Sequence, residues 1–129
     1  MADYVTDTQA LVKFMMGKKV INDKAHQAFL SADKGESTII IPAVVLMEVL
    51  YLFEKHRIDL DLLQTEALLK SQNYQFEPLI LEILKTASEI TDIPELHDRL
   101  IAATAGYLDI PIITNDPVIR KSKFVKILE

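Results

Sequence analysis

Residues 37–53, STIIIPAVVLMEVLYLF, narrow the possible folds more than any other stretch of the chain. STIII is rich in β-branched residues and lacks polar alternation, which reads as a buried strand. Pro42 suits the first turn of a helix that runs to about Lys55. A strand that feeds straight into a helix is the repeating unit of α/β domains, and the rest of the chain continues that pattern. DYVTD reads as a short strand, with Thr8 as the N-cap of a helix carrying Leu11, Phe14 and Met15. A second helix is expected from Asn22 to about Asp33, ended by Gly35. DLLQTEALLKS reads as a helix and NYQFEPL as a strand; the helix after Pro78 is expected to turn Leu81, Ile83 and Leu84 inward. HDRLIAATAGYL is the most helix-prone segment, and its small residues permit close packing. IPIIT then gives a strand, DPVIRKS a turn or short helix, and FVKIL a last strand. Strands alternating with helices imply an α/β domain whose mostly parallel sheet is covered on both sides, with ligands bound beyond the carboxyl ends of the strands.

At 129 residues the chain reads as a single domain, residues 1–129, large enough for a real core. It has no cysteine, so disulfides and thiolate metal sites are excluded. The first residues carry an acid at position 3 and no basic stretch, unlike a secretory signal, and no apolar run reaches membrane-spanning length, so a cytoplasmic address is expected. A net charge of −5 argues against gripping nucleic acid over a large surface, yet leaves room for a small acidic site whose charge a cation offsets.

Glu48 is the one acid within VVLMEVLYLF. A carboxylate in such a setting neutralises, pairs with a cation or binds a metal. Asp7 and Asp116 fall at the carboxyl ends of two strands, and Asp98 at the start of the DRLIAATA helix. If the first and later strands are neighbours, all four acids converge. Oxygen ligands without Cys or paired His suit Mg²⁺ or Mn²⁺ rather than Zn²⁺. The plainer readings are that Asp7 and Asp116 cap helices or turns, and that Glu48 pairs with Arg99.

YVTDTQAL, IPAVVLMEVL, LHDRLIAATAGYLDIPIITND and the closing strand together resemble the PIN domain family, in particular the VapC-type ribonuclease toxins of toxin–antitoxin modules. The likeness spans essentially the whole chain in the family's order. It implies a three-layer α/β/α sandwich with a parallel sheet and a Mg²⁺- or Mn²⁺-dependent endoribonuclease. It places the family's four metal-site acids on Asp7, Glu48, Asp98 and Asp116, its hydroxyl residue on Thr8, and its polar residues before the last acid on Thr114 and Asn115. Arg99 would orient carboxylates or meet phosphate at the pocket edge. Gln9 and Asp109 stand where the family often has Ser or Asn and Gly; an Asp tolerates the left-handed geometry of a helix cap. Pro117 replaces a more usual polar residue.

The resemblance further implies an RNA substrate, a small antitoxin partner and a homodimer, for which Phe14, Met15 and Met16 offer apolar surface. A catalytically weak PIN module that mainly binds RNA or protein is the other reading. His26, His56 and His97 lack the spacing to act as a pair. RKSKFVK, residues 120–126, reads as a solvated basic face in preference to an RNA track. DLDLLQT lacks the apolar strand that an aspartate phosphatase nucleophile follows and is set aside.

Overall fold

The computed structural model describes residues 2–18 and 22–128. Four strands, β1 (Ala2–Thr6), β2 (Ser37–Pro42), β3 (Tyr74–Glu77) and β4 (Ile112–Ile113), form one parallel sheet in the order β3-β2-β1-β4. Among the described residues seven helices, α1 (Thr8–Met15), α2 (Asp23–Asp33), α3 (Ala43–Glu54), α4 (Leu62–Leu69), α5 (Leu81–Glu89), α6 (Leu96–Leu108) and α7 (Pro117–Arg120), connect and flank it. Every residue of β2 is buried, which requires cover on both faces of the sheet. The expected α/β fold with a parallel sheet is therefore present. Among the described residues no helix is long and apolar enough to cross a membrane.

The chain winds from β1 through β2 to β3 in one direction and then crosses back, so that β4 lies on the other side of β1. The strand order therefore reverses between β1 and β4, and a crevice opens there at the carboxyl ends of the two strands. Register fixes what borders it: Val5 pairs with Ile112 and Thr6 with Ile113. One residue on, the Asp7 amide donates to the Ile113 carbonyl over 3.1 Å.

One apolar core fills the space around the sheet, with Val5, Ile39, Ile41, Ile112 and Ile113 from the strands and Phe29, Val45, Ile83 and Ile101 from the helices. Phe14 stacks on Phe29 with ring centroids 4.6 Å apart, joining α1 to α2. Gly35 ends α2 at φ +82°, a conformation in which a Cβ would be strained, and Glu36 N–H returns to the Ser31 carbonyl to close the last turn.

Four local expectations need correction. The N-cap of α1 is Asp7, whose side chain accepts from the Ala10 amide; Thr8 is already helical. Pro42 is the N-cap of α3 and the last residue of β2, not a residue of the first helical turn. On α5 only Ile83 and Ala87 are buried, while Leu81 and Leu84 face outward, because the alanine-rich α6 accepts a narrow stripe at close range. The closing FVKIL segment contributes a single parallel bridge, Ile112 to Ile127, in place of a strand. Asp92 holds the Ser122 hydroxyl and the Lys123 amide, each at 2.8 Å, and so tethers the chain just before it could enter register.

Candidate active site

The crevice between β1 and β4 is a cavity of about 240 Å³ lined by Asp7, Thr8, Glu48, Asp98, Asn115 and Asp116, together with Gln9, Ile101 and Pro117. Four carboxylates from four separate segments of the chain thus share one wall-to-wall space.

Each is delivered by a different local device. Asp7 leaves β1 as the α1 cap, is nearly buried, and has both oxygens engaged: Oδ1 accepts from the Ala10 amide at 2.9 Å and Oδ2 from the Thr114 hydroxyl at 2.6 Å. Because Thr8 is released from capping, its hydroxyl reaches Oε1 of Glu48 at 2.6 Å. That bond links α1 to the acid set in the apolar helix α3. Asp98 occupies the first turn of α6, where Oε2 of the N-cap Glu95 accepts from its amide at 2.7 Å. Asp116 caps α7 by accepting from the Val118 and Ile119 amides, and its own amide donates to the Thr114 hydroxyl at 3.0 Å. Thr114 therefore bridges two of the acids through one oxygen.

The electrostatics follow from this crowding. Burial pushes the Asp7 carboxyl above its ordinary value; the hydrogen bonds from Thr114 and Ala10 pull it back in part, and the charges of Asp116 and Glu48 push it up again. Asp98 is pushed up to about 6, first by burial and then by Asp116, Glu95, Glu48 and Asp7. A helix N-terminus ordinarily favours a negative side chain, so burial and like charge outweigh the α6 dipole here.

Arg99 follows Asp98 in the first turn of α6. Its Nε donates to the Ile93 carbonyl at 2.9 Å and Nη2 to the Pro94 carbonyl at 3.0 Å, bracing the loop that leads into α6, and no ion pair with Glu48 forms among the described residues. Sequence reading overlooked Arg120, grouped with a basic stretch. Its Nη1 donates to the Thr114 carbonyl at 3.0 Å, fixing the residue that bridges Asp7 and Asp116. The signal was available: in a one-turn helix capped by Asp116, a residue four positions on returns over the cap.

The residues suit a hard divalent cation by donor chemistry, since all four acids offer oxygen and each carboxylate has more lone pairs than its hydrogen bonds occupy. Among the described residues, however, no three acidic or histidine side chains already stand at ligand spacing. The shared cavity marks convergence of the four acids rather than a closed cage.

The fold matches that of VapBC2 from Rickettsia felis, solved bound to a DNA fragment from their promoter, with a TM-score of 0.72 and 17% identity over 98% of this chain and 97% of that one. A toxin–antitoxin complex from Klebsiella pneumoniae matches with a TM-score of 0.57 and 18% identity, covering 88% of this chain and 86% of that one. PAE2754 from Pyrobaculum aerophilum gives 0.58 and 18%, covering 97% and 83%. No curated protein sequence matches the chain. The PIN domain model matches residues 4–125, which include all four carboxylates and all four strands except Ala2 and Asp3 of β1. The chain belongs to the PIN domain family.

Proposed function

We propose that the protein is an endoribonuclease dependent on Mg²⁺ or Mn²⁺ and acts in the cytoplasm as the toxin of a two-protein module. The observation that carries this reading is the convergence of Asp7, Glu48, Asp98 and Asp116 on one cavity, with two of the four held above their ordinary pKa. Carboxylates set against each other in this way are stabilised by a cation, and PIN domains are generally nucleases.

Asp7, Asp98, Asp116 and Glu48 would hold the ion or ions. When bound, the cation supplies positive charge that activates water for attack on phosphorus and offsets the charge gathering on the leaving oxygen. The protein's own part is to fix the acids. Thr114 holds Asp7 and the backbone of Asp116, and Thr8 holds Glu48. Asn115, exposed at the rim, would steady a carboxylate or a water held by the cation.

The toxin role is supported by the match to the Klebsiella toxin–antitoxin complex and implies a small antitoxin as partner. A homodimer is part of the same proposal; Met16 is 36% exposed and Phe14 and Met15 are partly so, leaving apolar surface on α1. The test is cleavage of a panel of RNAs with Mg²⁺, Mn²⁺ or EDTA. Cutting that requires the cation and vanishes in Asp98→Asn, with the fold intact, supports the proposal; metal-bound protein that cuts nothing leaves a binding module.

A further inference from the structure

Glu48 borders a second cavity as well as the first. Its walls are Met47, Glu48, Tyr51 and Leu52 from α3, Arg57 just beyond that helix, and His97 from the start of α6, and it measures about 550 Å³. Residues three and four positions apart share a helix face, so the acid of the first cavity and Tyr51 and Leu52 of the second form one continuous stripe on α3. Likewise α6 sends Asp98 to the first cavity and the adjacent His97 to the second.

The two spaces differ in character. The second has a broad ring, a thioether and a leucine, with Glu48 as its one acid among the described residues lining it. Tyr51 is 53% exposed, and Lys55 Nζ lies over one face of its ring, 5.7 Å from the centroid, which leaves the opposite face for a stacked base. Arg57 closes this cavity and also lines the neighbouring cleft, where Lys13 and Lys18 add further positive charge. In a chain of net charge −5, positive charge is thus gathered beside the acidic pocket. An apolar wall edged by cations, sharing Glu48 with the cavity read above as phosphodiester-cleaving, complements an aromatic heterocycle carried on a phosphate chain. A purely apolar peptide would leave those cations without partners.

We propose that this cavity seats the nucleobase of a nucleotide next to the scissile phosphate, with Tyr51 stacking on the base and Arg57 meeting the phosphate beyond it. The scissile phosphate in that statement rests on the nuclease reading; the base site does not.

Tyr51→Trp gives the full chain its single indole, since the natural sequence has no Trp. In EDTA, where no cutting occurs, single-stranded poly(A) and poly(U) oligomers should quench its emission, and an abasic ribose-phosphate oligomer should not. With Mn²⁺, Tyr51→Ala should raise KM for a mixed-sequence RNA roughly 5- to 100-fold, the range expected for loss of one base stack, with kcat nearly unchanged, and Tyr51→Phe should restore it. RNA cleavage with an unaltered KM in Tyr51→Ala and no quenching would overturn the base site while leaving the nuclease intact. Quenching by base-bearing oligomers from a protein that cuts no RNA would uphold the base site and remove the nuclease reading. An indole that answers a Leu- and Arg-rich amphipathic peptide but no RNA would assign the cavity to a protein segment and overturn the proposal.

Discussion

The Thr114 hydroxyl donates to Oδ2 of Asp7 at 2.6 Å, a bond between residues 107 positions apart that clamps the end of β4 to the end of β1. Thr114→Val keeps the shape and removes the donor, leaving a buried carboxylate oxygen unpaired. The expected cost is about 1–3 kcal/mol of stability, read from urea unfolding, with Thr114→Ser close to wild type. The same loss lets the Asp7 pKa rise further, because one of the bonds that restrains it is gone. A neutral result for Thr114→Val would mean that the bond is not formed in solution.

Stability should fall with rising pH in metal-free protein. Folded Asp98 keeps its proton up to about pH 6, whereas an unfolded aspartate loses it near pH 4. The folded state therefore binds more protons within that window, and the penalty is absent below it and complete above it. Asp7, also raised, acts in the same direction. Thermal melts in EDTA from pH 4 to 7 should show this decline, and Asp98→Asn should flatten it. Millimolar Mg²⁺ or Mn²⁺ at pH 7 should raise the melting temperature and release protons on binding. An unchanged melting temperature with either ion would count against a metal site.

Arg120 should matter to activity more than to folding. It is half-buried and touches the Thr114 carbonyl rather than the cavity. Removing a group that orients a metal-binding carboxylate from behind typically costs about 10- to 100-fold in metal affinity or activity. Arg120→Ala should show that loss as a higher Mn²⁺ requirement, with far-ultraviolet circular dichroism unchanged. Full activity at low Mn²⁺ would show that Asp116 and Thr114 hold their places unaided.

Product ends report the mechanism. Cleavage through the 2′-hydroxyl of the RNA needs a paired base and acid and leaves a cyclic phosphate. His97 is the one histidine bordering either of the cavities that share Glu48, so no histidine pair is at hand among the described residues. Water activated beside a cation should leave a 5′-phosphate and a free 3′-hydroxyl, and cutting should survive a 2′-deoxy substitution at the cleaved position. End-labelled oligomers analysed by mass spectrometry would reveal 2′,3′-cyclic ends if the mechanism is otherwise.

The sheet and the meeting of Asp7 with Asp116 were legible because both depend on period and order: buried β-branched runs, helices between them, and an acid after each of two strands. Glu48 was legible as an anomaly in an apolar run. What escaped was decided by competition among near-equal local options. Asp7 and Thr8 can each cap α1; Asp7 takes the cap, and the Thr8 hydroxyl binds Glu48 instead. Arg99 had carbonyls nearer to hand than carboxylates. The outward turn of Leu81 and Leu84 followed from the small side chains of α6, which no reading of α5 alone could supply.

The crossing back from β3 to β4 also sets when the site can exist. Thr114 and Asp116 follow β4, and β4 pairs with β1, so the pocket needs segments from distant parts of the chain to meet. Contacts this distant in sequence form late in folding. Until β4 has paired with β1, three of the four acids are in place without Asp116 or the Thr114 clamp on Asp7, so the pocket is a late product of folding rather than a local one.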